Sequence, residues 1–193
     1  MKKKILNLFY LFGIAILLST AGCSNPSNSD SENKDSQSTL WSKSENGVTE
    51  KIKLTKTVED GLTTTALSYT SVEESSGKGV GFGVVKIGTS NSPLYKGVII
   101  ARRKTEEFPH NFWTNYKIDC GQSTVSIANT IGGPDYEDEF FEYLIFGGLS
   151  ASNINALKNA NQLQIFLQNP DYPERYTTFV CNYEFIIQLI KRF

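Results

Sequence analysis

The chain has 193 residues, of which 39% are apolar, 20% charged and 12% aromatic, a balance that suits one folded core and excludes a wholly disordered or collagen-like chain. Its formal charge is −1; without Lys2, Lys3 and Lys4, which lie in a segment expected to be removed, 16 Lys and Arg face 20 Asp and Glu, a net of −4. A weakly acidic domain has no general attraction for phosphate backbones, so nucleic acid is set aside as a partner.

The chain opens with Lys2, Lys3 and Lys4, continues through an apolar run over 5–18, and reaches Cys23 through the small residues Ser19, Thr20, Ala21 and Gly22. That is the order of a secretory signal, and its apolar stretch is short for a bilayer span. Thr20-Ala21-Gly22-Cys23 resembles the lipobox of bacterial lipoproteins, with Thr20 at the position most often held by Leu. The resemblance covers residues 1–23 and implies cleavage before Cys23, acylation of its sulfur and anchoring in membrane lipid on the outer side of a bacterial membrane. Two or three acyl chains hold firmly where one binds only marginally. In a cell with two membranes, Ser24 in place of the inner-membrane retention signal Asp favours the outer one.

Residues 1–22 are therefore expected to be a removed signal peptide and 23–40 a lipidated cysteine with a flexible linker. The linker reads SNPSNSDSENKDSQST from Ser24, too poor in apolar side chains to offset the entropy of ordering itself. Its roughly 16 residues have a root-mean-square reach of about 20 to 25 Å. The globular domain is expected over 41–193.

Within the domain, segments 51–58 and 62–72 are rich in Ile, Leu, Val, Thr and Tyr and flank Asp60-Gly61, which favours the positive φ of a tight hairpin turn. The glycines at 77, 79, 81, 83 and 88 invite a phosphate-loop reading. Phe82, Val84 and Lys86 fall where the third glycine of G-x-G-x-x-G belongs, and no Gly-Lys-Ser/Thr follows, so a loop entering a bent strand is the better account. Further strands are expected at 97–102, 115–120, 123–128, 140–146, 162–168 and 176–181. Two helices are expected: 152–160, with Ser152 available as cap, and 183–192 after the cap Asn182, with Ile186, Leu189, Ile190 and Phe193 at helical spacing. Strands with isolated helices and no βαβ alternation predict an α+β domain with a mainly antiparallel sheet, a short internal helix and a C-terminal helix.

With Cys23 assigned to lipid, Cys120 and Cys181 are the remaining thiols. An oxidising compartment favours a bridge between them, which would contribute about 4 kcal/mol by closing a loop of roughly sixty residues; two separate buried thiols are the alternative. Neither is read as catalytic.

Little else points to chemistry. His110 is the single histidine, which removes multi-histidine metal sites, and no Gly-x-Ser-x-Gly elbow supports a hydrolase. Asp135, Glu137, Asp138, Glu139 and Glu142 follow Gly132-Gly133-Pro134, but without the alternating acids and central glycine of a calcium loop. Arg102, Arg103 and Lys104 read as a solvated sheet edge that discourages pairing with other chains. Three aromatic groups, Phe108, Phe112, Trp113 and Tyr116, then Tyr136, Phe140, Phe141 and Tyr143, then Tyr172 and Tyr176, divide between core and loops able to anchor a ligand. No catalytic, cofactor or metal residues are assigned. The expected function is a non-enzymatic envelope lipoprotein that binds another envelope component, with an envelope protein as the candidate partner. A cation or small-ligand binder using the turn over 135–142 and a hydrolase of wall polymers are the alternatives.

Overall fold

The computed structural model describes residues 36–59, 61–76, 79–88, 92–103, 115–126, 128–131, 134–135, 141–168 and 176–193. The signal segment with Cys23, the loop with His110, and Asp60 lie outside them. All described structure falls within one compact unit, Asn33–Phe193.

The larger sheet begins as a meander: β1 (Ser36–Glu45), β2 (Val48–Glu59), β3 (Leu62–Glu73), β4 (Gly79–Ile87) and β5 (Leu94–Arg103), each pairing antiparallel with the next. It continues through β10 (Phe141–Leu149) to β8 (Ala128–Ile131), with β9 (Pro134–Asp135) also on β10. A second antiparallel sheet runs in the order β12 (Tyr176–Cys181), β11 (Leu163–Gln168), β6 (Asn115–Asp119), β7 (Thr124–Ser126). Helices α1 (Ala151–Lys158) and α2 (Tyr183–Arg192) complete an α+β fold.

The turns explain why the meander forms. Asn46 and Gly47 both take positive φ, 53° and 74°, the conformation of a two-residue hairpin turn whose twist matches the strands it joins. Gly61, at φ 74°, does the same in the β2–β3 hairpin. β1 starts at Ser36, within the stretch expected to be a tether; Leu40 and Trp41 pack against the core, and the ladder to β2, from Ser36↔Lys56 to Glu45↔Val48, holds its otherwise exposed length.

On one face of the large sheet Ile52, Leu54, Leu67, Tyr69, Phe82 and Val84 are buried; they join Ile118, Val125, Leu163 and Ile165 of the second sheet and Ile154, Leu157, Phe185, Ile186 and Leu189 of the helices in one hydrophobic cluster. The ring of Phe185 meets Tyr69 and Phe82 edge-on, with centroids 6.4 and 5.6 Å apart. The opposite face is also buried at Lys53, Thr55, Thr64, Ser68 and Thr70, next to Ala66, Val85 and Val98. Burial, and then neighbouring Lys51, holds the Lys53 ammonium below its ordinary pKa, because the charged form loses its water.

Both helix starts are capped. Ser150 Oγ accepts from the Asn153 backbone N–H at 3.1 Å, and Asn153 Oδ1 accepts from the Ser150 N–H at 2.9 Å. The cap of α1 is thus Ser150, two residues before the expected Ser152, since only Ser150 has a partner three residues on that reaches back. Asn182 caps α2 as expected, accepting from Glu184 N–H at 3.1 Å.

One further expectation is corrected. β5 is flanked by β4 and β10, with Arg102 opposite both Gly79 and Glu142, so Arg102 and Arg103 lie in an interior strand and not on an edge. Cys120 and Cys181 stand as two separate, free and buried thiols, the alternative to a bridge. Cys181 pairs with Leu163 of β11, while Cys120 follows Asp119, which pairs with Gln164 on the other side of β11. Two strand spacings, about 10 Å, separate the backbones, whereas a disulfide needs Cα atoms within about 7 Å.

Gly121, at φ 84°, turns the chain between β6 and β7, and a Cβ there would lie 2.3 Å from Asn161 Oδ1. The exposed Asn161 amide can swing aside, but the backbone cannot relieve a left-handed φ. Gly121→Ala is expected to cost about 1 kcal/mol or more, a fall in Tm that Asn161→Ala added to it does not restore.

Candidate functional site: a basic cleft

Directly opposite residues on neighbouring antiparallel strands share a face. The register therefore aligns Lys56 of β2, Thr65 of β3 and Lys86 of β4 in one row across the large sheet. The last turn of α2 brings Lys191 and Arg192 to the same row. Together with Thr63, Gly88 and Leu54 these residues line a half-open cleft of about 360 Å³.

The helix reaches this place for identifiable reasons. Its first turn sits near Glu50, whose carboxylate accepts from the Asn182 side-chain amide at 3.4 Å and from the buried Tyr69 hydroxyl. From there α2 lies along the sheet with Phe185 as its anchor. Gln188 donates to Glu184 at 2.7 Å and accepts from Arg192 Nε at 3.3 Å, a ladder at four-residue spacing that holds the Arg192 side chain. Glu184 in the first turn and Lys191 and Arg192 in the last complement the helix dipole.

No acidic residue lines the cleft, and the ion pair of Lys43 with Glu45 lies at the far end of β1. Four cations with two threonine hydroxyls and the Gly88 turn make an environment for an anionic oxygen group, with charge-assisted donors on several sides. Gly88 is held at φ 100° with its N–H on the Thr63 carbonyl at 3.0 Å. At the opposite end of the same strands, around Asn46-Gly47, lie the exposed acids Glu45, Glu73 and Glu74, where Thr49 donates to Glu74 at 2.5 Å. The cleft end gathers basic side chains, whereas the opposite end mixes these acids with Lys43, which pairs with Glu45, and with Arg102, opposite Gly79.

The residues singled out from the sequence lie elsewhere. Asp135 and Glu142 stand opposite one another in the β9–β10 pairing, with 136–140 outside the described residues. Among the described residues no group of three or more His, Cys, Asp or Glu could hold a metal ion. Phe108, Phe112, Trp113, Tyr136, Phe140 and Tyr172 lie outside the described residues, while Tyr116, Phe141, Tyr143 and Tyr176 fall within β6, β10 and β12. Burial pushes the Cys120 and Cys181 thiols above their ordinary pKa, the reverse of an activated nucleophile. Among the described residues no helix is long and apolar enough to cross a membrane.

The cleft residues were missed because each lysine alone reads as an ordinary exposed strand or helix charge. Part of the pattern was accessible, since a two-residue turn at Asp60-Gly61 already places Lys56 opposite Thr65. No family model, curated protein or solved structure matches the chain.

Proposed function

We propose that this protein is a lipoprotein of the bacterial envelope, tethered through acylated Cys23, whose domain is a non-enzymatic binding module. The address rests on the basic, apolar and small-residue order that ends at Cys23. The binding role rests on one observation: Lys56, Lys86, Lys191 and Arg192 converge on a single cleft without an acid in its lining, in a domain whose net charge is negative. The cleft takes an anionic group of an envelope component.

Growth with a clickable palmitate analogue tests the anchor. The wild-type chain is expected to take the label and stay with membranes until detergent is added, and Cys23→Ser to lose the label entirely. An unlabelled wild-type chain would sink the lipoprotein reading. Crosslinking in intact cells then identifies the component held by the domain, and loss of that crosslink in Lys56→Gln/Lys86→Gln is the expected result.

A further inference from the structure

We propose that the end of the large sheet bearing the basic cleft docks onto the anionic surface of the membrane to which the chain is tethered, taking lipid headgroup phosphates between Lys56, Lys86, Lys191 and Arg192. The inference rests on the lipoprotein reading for its tether and on the fold for everything else.

Three independent features meet at this end. The first is the entry of the chain: Ser36, where β1 begins, is the register partner of Lys56. Residues 24–35 are all that separates Cys23 from this strand, and a chain of that length reaches at most about 40 Å. Anchoring at Cys23 therefore ties the Lys56 end of the sheet, where β1 begins, and not the Asn46-Gly47 end, to the surface.

The second is charge. The four cations face an anionic surface as one cluster, and each basic residue near such a surface contributes about 1 kcal/mol. At the far end Glu45, Glu73 and Glu74 lie among Lys43, Lys51 and Arg102, so charge there is mixed and the cleft is the basic end that faces the surface. Glu59 and Asp60 are the nearest acids to Lys56 in sequence, and two negative charges are fewer than the four cations of the cleft.

The third is exposed apolar surface. Val58 and Leu62 flank the β2–β3 turn, Leu94 opens β5 opposite Ile87, and Ile190 precedes Lys191; their exposures run from 37% to 54%. Aliphatic side chains interleaved with Lys and Arg are the pattern of surfaces that sit in the headgroup layer, the apolar groups reaching the acyl boundary while the cations meet phosphate. Neither a nucleotide nor an inorganic phosphate site calls for such a rim.

The test uses residues 24–193 without lipid, which include the whole compact unit, with vesicles of phosphatidylcholine alone or with about one third phosphatidylglycerol in roughly 0.1 M salt. The protein is expected to sediment with the anionic vesicles only. Lys56→Gln/Lys86→Gln should lower the partition coefficient roughly 25-fold, about fivefold per charge, with an unchanged circular dichroism spectrum. Leu62→Ser/Leu94→Ser should also weaken binding, while Tyr183→Ser, an equally exposed position at the other end of α2, should not. Equal binding to both vesicle types, or none by the folded protein, would overturn the docking end. So would inorganic phosphate that displaces the protein from vesicles at constant ionic strength and raises its Tm, since the cleft would then be a small-anion site. Palmitate labelling reads the tether separately: label without vesicle binding defeats the docking end alone, and vesicle binding without label supports the docking end while defeating the tether.

Discussion

Phe185→Ala is expected to lower the Tm by roughly 10 °C, the largest effect of any single change considered. Phe185 is fully buried and lies against Tyr69 and Phe82, so truncation removes apolar contacts from both sheet partners and leaves a cavity that rigid strands cannot close. Such truncations cost about 3 to 5 kcal/mol, and a unit of this size loses about 2 to 4 °C per kcal/mol. The change has a functional consequence because Phe185 anchors the helix that presents Lys191 and Arg192. Vesicle binding should therefore weaken even below the new Tm, whereas Phe185→Leu, which keeps most of the apolar volume, should retain it. A shift under about 3 °C in Phe185→Ala would show that α2 is not packed on the sheet as described. Differential scanning calorimetry on residues 24–193 measures it.

The second large effect concerns the thiols. Alkylation of residues 24–193 is expected to modify neither Cys120 nor Cys181 in the native protein and both in denaturant without reductant, a gain of two labels by mass. Burial explains the protection, and the intervening strand β11 explains why no bridge competes. Two unlabelled sulfurs in denaturant would mean a disulfide and a different register in the second sheet.

The same burial makes stability depend on pH. In the folded protein both thiol pKa values are raised, chiefly by desolvation, with the Glu50 charge adding at Cys181 and the Asp119 charge adding at Cys120 against the Ser123 hydrogen bond. Below the unfolded thiol pKa of about 8.5 both states keep their protons and the stabilisation is complete. Above it the unfolded chain releases protons that the folded chain retains, so stability falls as pH rises toward the folded values. The slope approaches about 1.4 kcal/mol per pH unit for each thiol. Tyr69, whose hydroxyl is raised by burial and then by its hydrogen bond to Glu50, adds a further loss above about pH 10. Cys181→Ala should flatten the profile between about pH 8.5 and 10, and an unchanged slope in urea titrations would refute the assignment.

Much of the architecture was legible along the chain because it rests on local chemistry. The β2–β3 hairpin follows from Asp60-Gly61 between two β-branched runs, and α2 from Asn182 and the spacing of Ile186 and Leu189. The strand over Gly79–Ile87 survived its glycines because Phe82 and Val84 face the core while Gly81 and Gly83 lie on the other face, where Gly83 packs close to the Leu67 carbonyl. β1 was overlooked although Asn46-Gly47 announces a hairpin. Apart from Leu40 and Trp41, which pack against the core, its side chains are polar and exposed, so the alternation that marks other strands is missing and pairing with β2 carries most of its length. Arg102 and Arg103 show the converse limit: mixed charge at a strand end looks like an edge, and only the return of β10 alongside β5 makes it an interior position.

By itself the sequence determined the α+β class, most strands and both helices, since each depends on residues within about a turn of one another in the chain; the lipid anchor at Cys23 is a proposal read from it. Tertiary structure decided the rest. It put Cys120 and Cys181 on opposite sides of β11, beyond the reach of a disulfide, and it gathered Lys56, Lys86, Lys191 and Arg192 from two strands and a helix into one cleft beside the start of β1. Strand order and register decide such meetings. Both depend on pairings between residues tens of positions apart, which the periodicity of any one segment does not encode.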